Sequence, residues 1–510
     1  MKKFFTIIFG RVVYTSLFII IQIGGLALML RYFAEYFWGF YSISILFSVL
    51  AGLHVLNRDM NPDYKLAWLI PIMRFPVFGG LMYAMFGKTR MSQKEARRVL
   101  DAEKEYRFAL KQEDGAMEEL ELEDSNAAAH AKYIRAITLI APQRHTQTMY
   151  LPTGEKYFEA LKEALEKAQR FIFLEYFIIE QGVMWNEILE ILARKVKEGV
   201  DIRVMYDDLG CMFTLPQRYT MTLEKLGIKA CVFHRFNSIL NARFNTRDHR
   251  KICVVDGIIG FTGGVNLADE YINVYEKHGH WKDSGIMLTG EAVWSLTVMF
   301  LSMWDCVYRD NKTFTGFAPM CDTAEIPDDG YVLPYHDTPM DDEPVGENVY
   351  INLIYRAKRY VYITTPYLIV DDKMLAAMRT ASRSGVDIRV ITPGIPDKKF
   401  VNIMTKSYYE PLLNAGVRIF EYTPGFIHSK TLVSDDELAV VGTVNLDYRS
   451  FYLHHECAVW LYKSKAVGQV KEDFIETLDK CAEVTLDTME KKNALQSMAR
   501  AVLRVFAPLM

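Results

Sequence analysis

The sequence predicts an α/β fold of two similar lobes, each a mixed β-sheet flanked by helices, related by a pseudo-twofold axis and preceded by a transmembrane helical hairpin. Three observations support this prediction. Strand-like and helix-like segments alternate along most of the chain, this alternation occurs twice, and the N-terminal segment is strongly apolar. A chain of 510 residues, 50% of them hydrophobic, is long enough to bury two domain-sized cores.

The N-terminal segment carries two long apolar runs. They extend over residues 12–30 and 38–56, and each approaches the ~20 residues that a bilayer-spanning helix needs. Basic residues precede and follow the pair, whereas the short connection has only Arg31, so the positive-inside rule places both ends in the cytoplasm. We therefore expect residues 1–60 to form a multi-pass membrane anchor with the lobes on the cytoplasmic face. A cleaved signal peptide is the alternative, although a signal h-region is usually only ~7–15 residues long.

Residues 61–130 are expected to form an interfacial segment followed by a charged linker. The apolar stretch 66–86 contains Arg74 and two prolines, and a straight spanning helix would have to bury that arginine and tolerate both prolines. We predict that this stretch lies along the membrane interface, with a third span as the alternative. From Ser92 onwards the chain becomes charged, which is typical of a solvated linker.

The rest of the chain repeats one β-α-β pattern. Strands are predicted near 168–177, 200–206, 357–363 and 385–390, with helices near 186–197 and 374–384. The hexapeptide Gly-Val-Asp-Ile-Arg-Val occurs at residues 199–204 and again at residues 385–390. An internal duplication explains both observations. We place the first lobe at 131–325, the second at 326–485, and an amphipathic C-terminal helix at 486–510.

The chemistry-bearing residues occupy equivalent places in the two copies. The candidate catalytic residues are His249, Lys251 and Asp256 in the first copy and His428, Lys430 and Asp435 in the second. Each set is followed by a Gly-x-x-Asn segment that ends at Asn266 or Asn445. Five positions keep both identity and spacing, which chance rarely produces inside a wider repeat. Side chains two residues apart on a strand share a face, so each copy offers an imidazole beside an ammonium group.

These residue types suit transfer of a group at a phosphodiester. Ammonium and amide groups bind charged oxygens and stabilise the extra charge of a pentacoordinate transition state, so no divalent cation is required. Two histidines from opposed lobes can act as nucleophile and as proton donor to the leaving oxygen, which one histidine cannot easily do. The net charge of −4 provides no basic field for nucleic acid, which is disfavoured as a partner.

The duplicated His-x-Lys-x4-Asp motif with its following Gly-x-x-Asn resembles the phospholipase D superfamily. With the apolar hairpin, the segment 57–62 and the C-terminal residues 506–510, the chain looks like the bacterial cardiolipin synthases. This resemblance implies an enzyme of the bacterial inner membrane that needs no cofactor. A histidine would attack phosphatidylglycerol, glycerol would leave, and a second phosphatidylglycerol would take the phosphatidyl group to give cardiolipin.

Other activities stay open at this point. A hydrolytic phospholipase D, or a transphosphatidylase using another donor or acceptor lipid, would carry the same motif. A nuclease would also carry it but should have a basic groove, and a silent scaffold is disfavoured because both motifs are intact. The oligomeric state is not predicted.

The resemblance also implies a role for each motif residue. His249 is the expected nucleophile and His428 the general acid, with the reverse assignment as the alternative. The expected phosphate ligands are Lys251, Lys430, Asn266 and Asn445. Asp256 and Asp435 are implied to stabilise the motif fold. Asp283 and Glu456 begin equivalent later strands and are implied to orient the two histidines at the substrate site, as nucleophile and base sites normally need an orienting third group.

Overall fold

The computed structural model describes residues 37–58, 60–87, 115–234, 246–308, 314–320, 322–341, 343–489 and 494–509, with the separate positions 20, 21, 23–25, 28, 31, 106, 109 and 110. One compact unit comprises residues 1–90, 236–246 and 501–510. The other comprises residues 91–235 and 247–500, and it contains both copies of the duplicated motif.

The first unit contains three consecutive helices. They are α1 (Phe37–Leu56), α2 (Pro62–Arg74) and α3 (Pro76–Phe86). Helix α1 packs against both others, and the Ser48 hydroxyl donates a hydrogen bond to the Ile72 carbonyl at 2.7 Å. The stretch 66–86 is not one straight helix, because α2 ends at Arg74 and Pro76 opens α3, where its missing N–H costs nothing.

The predicted membrane hairpin is only partly covered by the described residues. Its first run, 12–30, lies largely outside them, and its second run corresponds to α1. Within the described part of the chain, no helix combines the length and the apolarity that a membrane crossing demands. The hairpin therefore stays a prediction.

The first lobe is built on a mixed sheet. Its strands are β1 (Thr146–Leu151), β2 (Phe171–Tyr176), β3 (Asp201–Asp207), β4 (Lys229–Phe233), β6 (Ile252–Val255), β7 (Ile259–Gly263) and β9 (Gly285–Gly290), and the short β5 (Arg247–Asp248) and β8 (His280–Lys282) lie outside the sheet. The spatial order is β1-β9-β7-β6-β2-β3-β4, with β2, β3 and β4 parallel and the other pairs antiparallel. All six residues of β2 are buried, as expected for a central strand with both faces covered.

The second lobe repeats this order. Its strands are β10 (Tyr331–Asp337), β11 (Tyr360–Thr364), β12 (Leu368–Ile369), β13 (Asp387–Pro393), β14 (Arg418–Tyr422), β15 (Gly425–Ile427), β16 (Thr431–Ser434), β17 (Leu438–Gly442), β18 (Leu446–Asp447), β19 (His454–Tyr462) and β20 (Cys481–Val484). The sheet runs β10-β19-β17-β16-β11-β13-β14, strand for strand the order of the first lobe, and β20 extends its edge. The predicted α/β duplication is confirmed.

Helices flank both sheets. In and before the first lobe they are α4 (Gly115–Glu123), α5 (Ser125–Thr138), α6 (Gly154–Lys167), α7 (Val183–Lys197), α8 (Tyr219–Lys225) and α9 (Val293–Tyr308). In the second lobe they are α10 (Val345–Arg356), α11 (Asp372–Arg383), α12 (Lys399–Leu413), α13 (Tyr448–Tyr452) and α14 (Lys465–Leu478), and α15 (Ala494–Phe506) follows it in the chain. Apolar side chains of the helices within the lobes pack against the sheets, with Leu161, Ile188 and Met378 fully inaccessible.

Two short strand pairings connect the lobes reciprocally. Strand β5 of the first lobe pairs with the beginning of β19 in the second, and β15 of the second pairs with β8 of the first. The backbone N–H of His249 donates to the carbonyl of His455 at 2.9 Å, and that of His428 donates to the carbonyl of Lys282 at 2.7 Å. Each motif histidine is thereby held against the strand end of the other lobe.

The two motif aspartates close equivalent turns. Asp256 and Asp435 both adopt left-handed backbone conformations, with φ of 53° and 56°. The Asp256 carboxylate accepts backbone N–H groups from Gln169, Arg170 and Phe171, and the Asp435 carboxylate accepts them from Lys358, Arg359 and Tyr360, all at 2.7–2.9 Å. Each aspartate therefore joins the turn after one strand to the start of the lobe's central strand.

Replacing Asp256 by alanine should destabilise the first lobe. The substitution removes three charge-assisted hydrogen bonds and places a residue that disfavours the left-handed region at a positive φ, so we expect a loss of about 2 kcal/mol or more. Asp256→Asn is the matched control, since asparagine tolerates this backbone conformation and keeps one acceptor oxygen. Thermal unfolding in detergent should rank the wild type above Asp256→Asn and Asp256→Ala lowest; an unchanged midpoint for alanine would contradict the turn-closing role.

Candidate active site

The motif histidines and lysines lie in the short segments that join a short strand to a longer strand of each lobe's sheet. His249 and Lys251 fall between β5 and β6, and His428 and Lys430 fall between β15 and β16. Alternation along these extended segments directs each histidine and its lysine to the same side. All four side chains are buried, with residue exposures of 7% for both histidines and at most 1% for both lysines.

Each histidine is hydrogen-bonded to a carboxylate of the other lobe. The His249 Nδ1 atom lies 2.9 and 3.0 Å from the two Glu456 oxygens, and the His428 Nδ1 atom lies 2.6 Å from Asp283 Oδ2. Because the carboxylates accept, Nδ1 carries the proton in each imidazole and Nε2 keeps its lone pair. These two contacts, here called the crossed dyads, bring together the predicted residues of both copies.

The carboxylates of the two dyads have different surroundings. Glu456 also accepts a hydrogen bond from the Thr443 hydroxyl, and Asp283 accepts the backbone N–H of Ser284 at 2.8 Å. Burial alone would raise the pKa of Asp283, but His428 and Lys430 outweigh it and hold that pKa below its usual value. Asp283 is therefore ionised and stabilises an imidazolium form of His428.

The buried environment keeps both imidazoles neutral in the free protein. Burial, reinforced by the charges of Lys251 and Lys430, lowers the pKa of His249 well below its usual value. Burial and Lys430 also lower the pKa of His428, to about 4, although Asp283 opposes this shift. A neutral imidazole with a free Nε2 lone pair is the form that a nucleophilic histidine requires.

The two motif lysines have pKa values near neutral pH. The Lys251 ammonium donates to the carbonyl of His249 at 2.6 Å, and that of Lys430 donates to the carbonyl of His428. Burial lowers the pKa of Lys251 to about 8 and that of Lys430 to about 7. An anionic ligand would favour the charged form of both groups and so stabilise two cations beside the dyads.

The two asparagines differ in what they already bind. Asn266 Oδ1 accepts the backbone N–H of Ile178 at 3.0 Å, and its Nδ2 donates to the Tyr271 hydroxyl at 2.6 Å. Asn445 Oδ1 is buried, and among the described residues no partner reaches it. One N–H of Asn266 is committed to Tyr271, which the sequence pattern gave no reason to expect.

Two further residues border the motif histidines. His454 and Trp281 occupy equivalent positions, two residues before Glu456 and Asp283, and their rings lie 5.5 Å from His249 and 5.4 Å from His428. Strand alternation could have identified them, because a residue two positions before a site residue shares its face. The two copies thus place different side chains beside their histidines.

The sequence predicts no metal ligands, yet one group in the described residues has suitable spacing. Ligand atoms of His249, His454 and Glu456 all lie within 4.8 Å of one another. Glu456 already accepts a hydrogen bond from His249. A metal ion at this position would replace that hydrogen bond and bind the imidazole that is the expected nucleophile.

Comparisons with known proteins agree with this arrangement. A family model described as "Cardiolipin synthase, PLD-like domain" matches residues 161–290 and 350–478, which contain both crossed dyads. The chain belongs to the cardiolipin synthase family of phospholipase D-like proteins. A second model, described as "Phospholipase_D-nuclease N-terminal", matches residues 46–88.

Relatives of the cardiolipin synthase family span nearly the whole chain. A cardiolipin synthase of Halalkalibacterium halodurans is 31% identical, covering 97% of this chain and 98% of its own length. Cardiolipin synthase 2 of Bacillus anthracis is 33% identical over 90% of each chain, and an uncharacterized protein of Streptococcus mutans is 43% identical over 90% of this chain and 99% of its own. A phosphatidylserine synthase structure from Haemophilus influenzae shares the fold, with a TM-score of 0.55 and 15% identity over 76% of this chain and 98% of that one.

Binding of a phosphodiester should weaken as pH rises through about 7 to 8. Lys430 and Lys251, with their pKa values lowered to about 7 and about 8, are charged below this window and neutral above it. Dimethyl phosphate is a suitable probe because its own charge is constant there. Its inhibition constant should rise ~10-fold between roughly pH 6 and pH 9, and a constant value would contradict the role of the lysines.

Proposed function

We propose that the chain is a cardiolipin synthase that transfers a phosphatidyl group from one phosphatidylglycerol to another, releasing glycerol. The observation that carries this proposal is the pair of crossed dyads beside two buried lysines, within the two segments that the cardiolipin synthase family model matches. Full-length relatives carry the name cardiolipin synthase, and both substrate and product are anionic lipids that two ammonium groups would bind.

The first half-reaction forms a phosphohistidine. His249 Nε2 attacks the phosphorus of phosphatidylglycerol, and the bond from phosphorus to the headgroup glycerol oxygen breaks. His428 takes up a proton from water when the phosphodiester anion binds, and it gives that proton to the departing oxygen, so glycerol leaves as a neutral alcohol. Lys251 and Lys430 stabilise the negative charge on the non-bridging oxygens during the displacement.

The second half-reaction reverses the proton transfer. Neutral His428 takes a proton from a headgroup hydroxyl of a second phosphatidylglycerol, whose oxygen attacks the phosphorus. The bond to His249 breaks, cardiolipin forms, and both histidines return to their starting states. No cofactor enters either step.

The environments of the dyads support this assignment of roles. Burial lowers the pKa of both histidines, but the ionised Asp283 carboxylate, 2.6 Å from His428 Nδ1, opposes that shift at His428 and so favours the imidazolium that a general acid needs. The bound phosphodiester anion favours it further. His249 has its pKa held well below the usual value, which favours a neutral nucleophile.

We further propose that the protein acts at the bacterial inner membrane, with the lobes on the cytoplasmic side. Support comes from the apolar N-terminal runs and from exposed apolar side chains on α1, including Ile43 at 68% and Phe47 at 53%. The basic residues on both sides of the runs support the orientation.

The purified full-length protein, incubated with phosphatidylglycerol alone in the presence of EDTA, should yield cardiolipin and free glycerol in equal amounts. Mass spectrometry of lipids and water-soluble products would measure both. Phosphatidic acid in place of cardiolipin would show that water is the acceptor and make the protein a phospholipase. No product would contradict phosphatidylglycerol as donor.

Alanine at either His249 or His428 should lower turnover at least ~10³-fold, because one loses the nucleophile and the other the proton donor. The location of the covalent adduct separates the two roles. In rapidly quenched wild-type reactions, peptide mass spectrometry should find the phosphatidyl group on the peptide containing His249. An adduct on His428 would reverse the assignment, and full activity in either alanine variant would refute the shared site.

A further inference from the structure

Residues 395–403, here called the mouth tip, expose an unusual set of side chains. The exposed members are Ile395, Lys398, Lys399, Phe400 and Ile403. Their large apolar side chains are 41–46% exposed, and the Lys398 side chain is 66% exposed. Apolar groups clustered beside cations at one surface point indicate contact with something other than water.

The contacts of the backbone and side chains around the mouth tip determine which of its residues are exposed. The tip follows β13 and opens α12, where Phe400 and Ile403 lie three residues apart and so share one helix face. The backbone N–H of Ile395 donates to the carbonyl of Gly425 at 3.1 Å, which anchors the tip to the strand that leads into the second motif. Asp397 is turned inwards and accepts the Tyr367 hydroxyl at 2.7 Å. The Lys398 ammonium lies 3.7 Å from Asp397, so two lysines against one carboxylate leave the tip with a net positive charge.

A series of aromatic contacts connects the mouth tip with His428. The Lys398 ammonium lies 5.6 Å from the centre of the Tyr367 ring, and Tyr367 lies 6.3 Å from Phe426. Phe426 in turn lies 5.9 Å from His428. The tip is thus connected to His428 through a continuous chain of side-chain contacts.

The first lobe has a counterpart at the equivalent strand end. Phe213, which follows β3, is 67% exposed. Its loop is held through Cys211, whose thiol lies 3.6 Å from the carbonyl of Phe177, and the Phe177 ring lies 5.2 Å from His249. Each histidine is therefore connected through an aromatic residue to a loop with an exposed apolar side chain.

We propose that the mouth tip inserts into the surface of an anionic phospholipid bilayer and aligns the catalytic cleft with the lipid headgroups. This inference rests on the proposed function, because a lipid whose phosphate reaches a buried histidine must keep its acyl chains in an apolar phase. Phe400, Ile403 and Ile395 supply the inserted surface. Lys398 and Lys399 match anionic headgroups, a charge complementarity that a second copy of the same lysine-bearing surface would lack.

The double substitution Phe400→Ser with Ile403→Ser, in the full-length protein, tests the insertion. On vesicles of phosphatidylglycerol and phosphatidylcholine the rate should fall ~10-fold or more. On monomeric dihexanoyl phosphatidylglycerol it should change less than ~2-fold, since the crossed dyads are intact. Equal losses on both substrates, or no loss on vesicles, would overturn the proposal.

Tyr355→Ser is the matched control. Its side chain is 57% exposed, and it lies near the end of α10, just before β11 begins. Strands β11 and β13 run parallel, and the tip follows the C-terminal end of β13. Tyr355 therefore lies at the opposite end of the strands from the mouth tip. The control should keep its rate on both substrates, and a vesicle-specific loss there equal to that of the tip variant would count against the tip.

A second measurement does not depend on turnover. An environment-sensitive fluorophore attached at Phe400→Cys, in the reconstituted full-length protein, should be quenched by lipids that carry a nitroxide on the acyl chain. The same label at Tyr355→Cys should not be quenched. Equal quenching at the two positions would overturn the insertion. If the wild type makes no cardiolipin from either substrate, the proposed function fails, and this measurement still decides whether the tip contacts lipid.

Discussion

The active site depends on hydrogen bonds that each connect a histidine of one lobe with a carboxylate of the other. Glu456 binds His249 and Asp283 binds His428, so neither lobe holds both members of a dyad. The reciprocal strand pairings, β5 with β19 and β8 with β15, place the partners at hydrogen-bonding distance. Packing between the lobes is therefore part of the chemistry, since a shift at their interface would lengthen both dyads at once.

Burial lowers the pKa of both kinds of basic group at this site, the imidazoles and the lysine ammonium groups. It keeps the imidazoles neutral, which suits a nucleophile, and it brings the lysines close to losing their protons. An arriving phosphodiester supplies the missing negative charge and favours the cationic forms. The site is thus completed electrostatically by its substrate, and it binds an anion without an assembled cluster of permanent surface charge.

Much of the architecture could be predicted from the repeated pattern. The β-α-β alternation and the duplicated hexapeptide identified both lobes, and the predicted central strands correspond to β2, β3, β11 and β13. The crossing of the dyads could not be predicted, because Glu456 is 207 residues from His249 and Asp283 is 145 residues from His428. Spacing within a strand reveals which residues share a face, but the partner across an interface depends on how two sheets dock.

The neighbours of the dyads depend on tertiary packing in the same way. The commitment of Asn266 to Tyr271, and the positions of Trp281 and His454, follow from tertiary packing around the motif and not from the motif itself. Local alternation marks such residues as candidates only after the strand carrying Asp283 or Glu456 has been recognised.

Fusing the two copies in one chain has a consequence for how the halves can specialise. In a dimer of identical chains, any substitution beside one histidine appears beside the other as well, so both must compromise between attacking phosphorus and moving protons. Here a tryptophan can border one imidazole and a histidine the other, and an aspartate can support one while a glutamate supports its counterpart. The covalent link releases the site from symmetry and permits a division of labour.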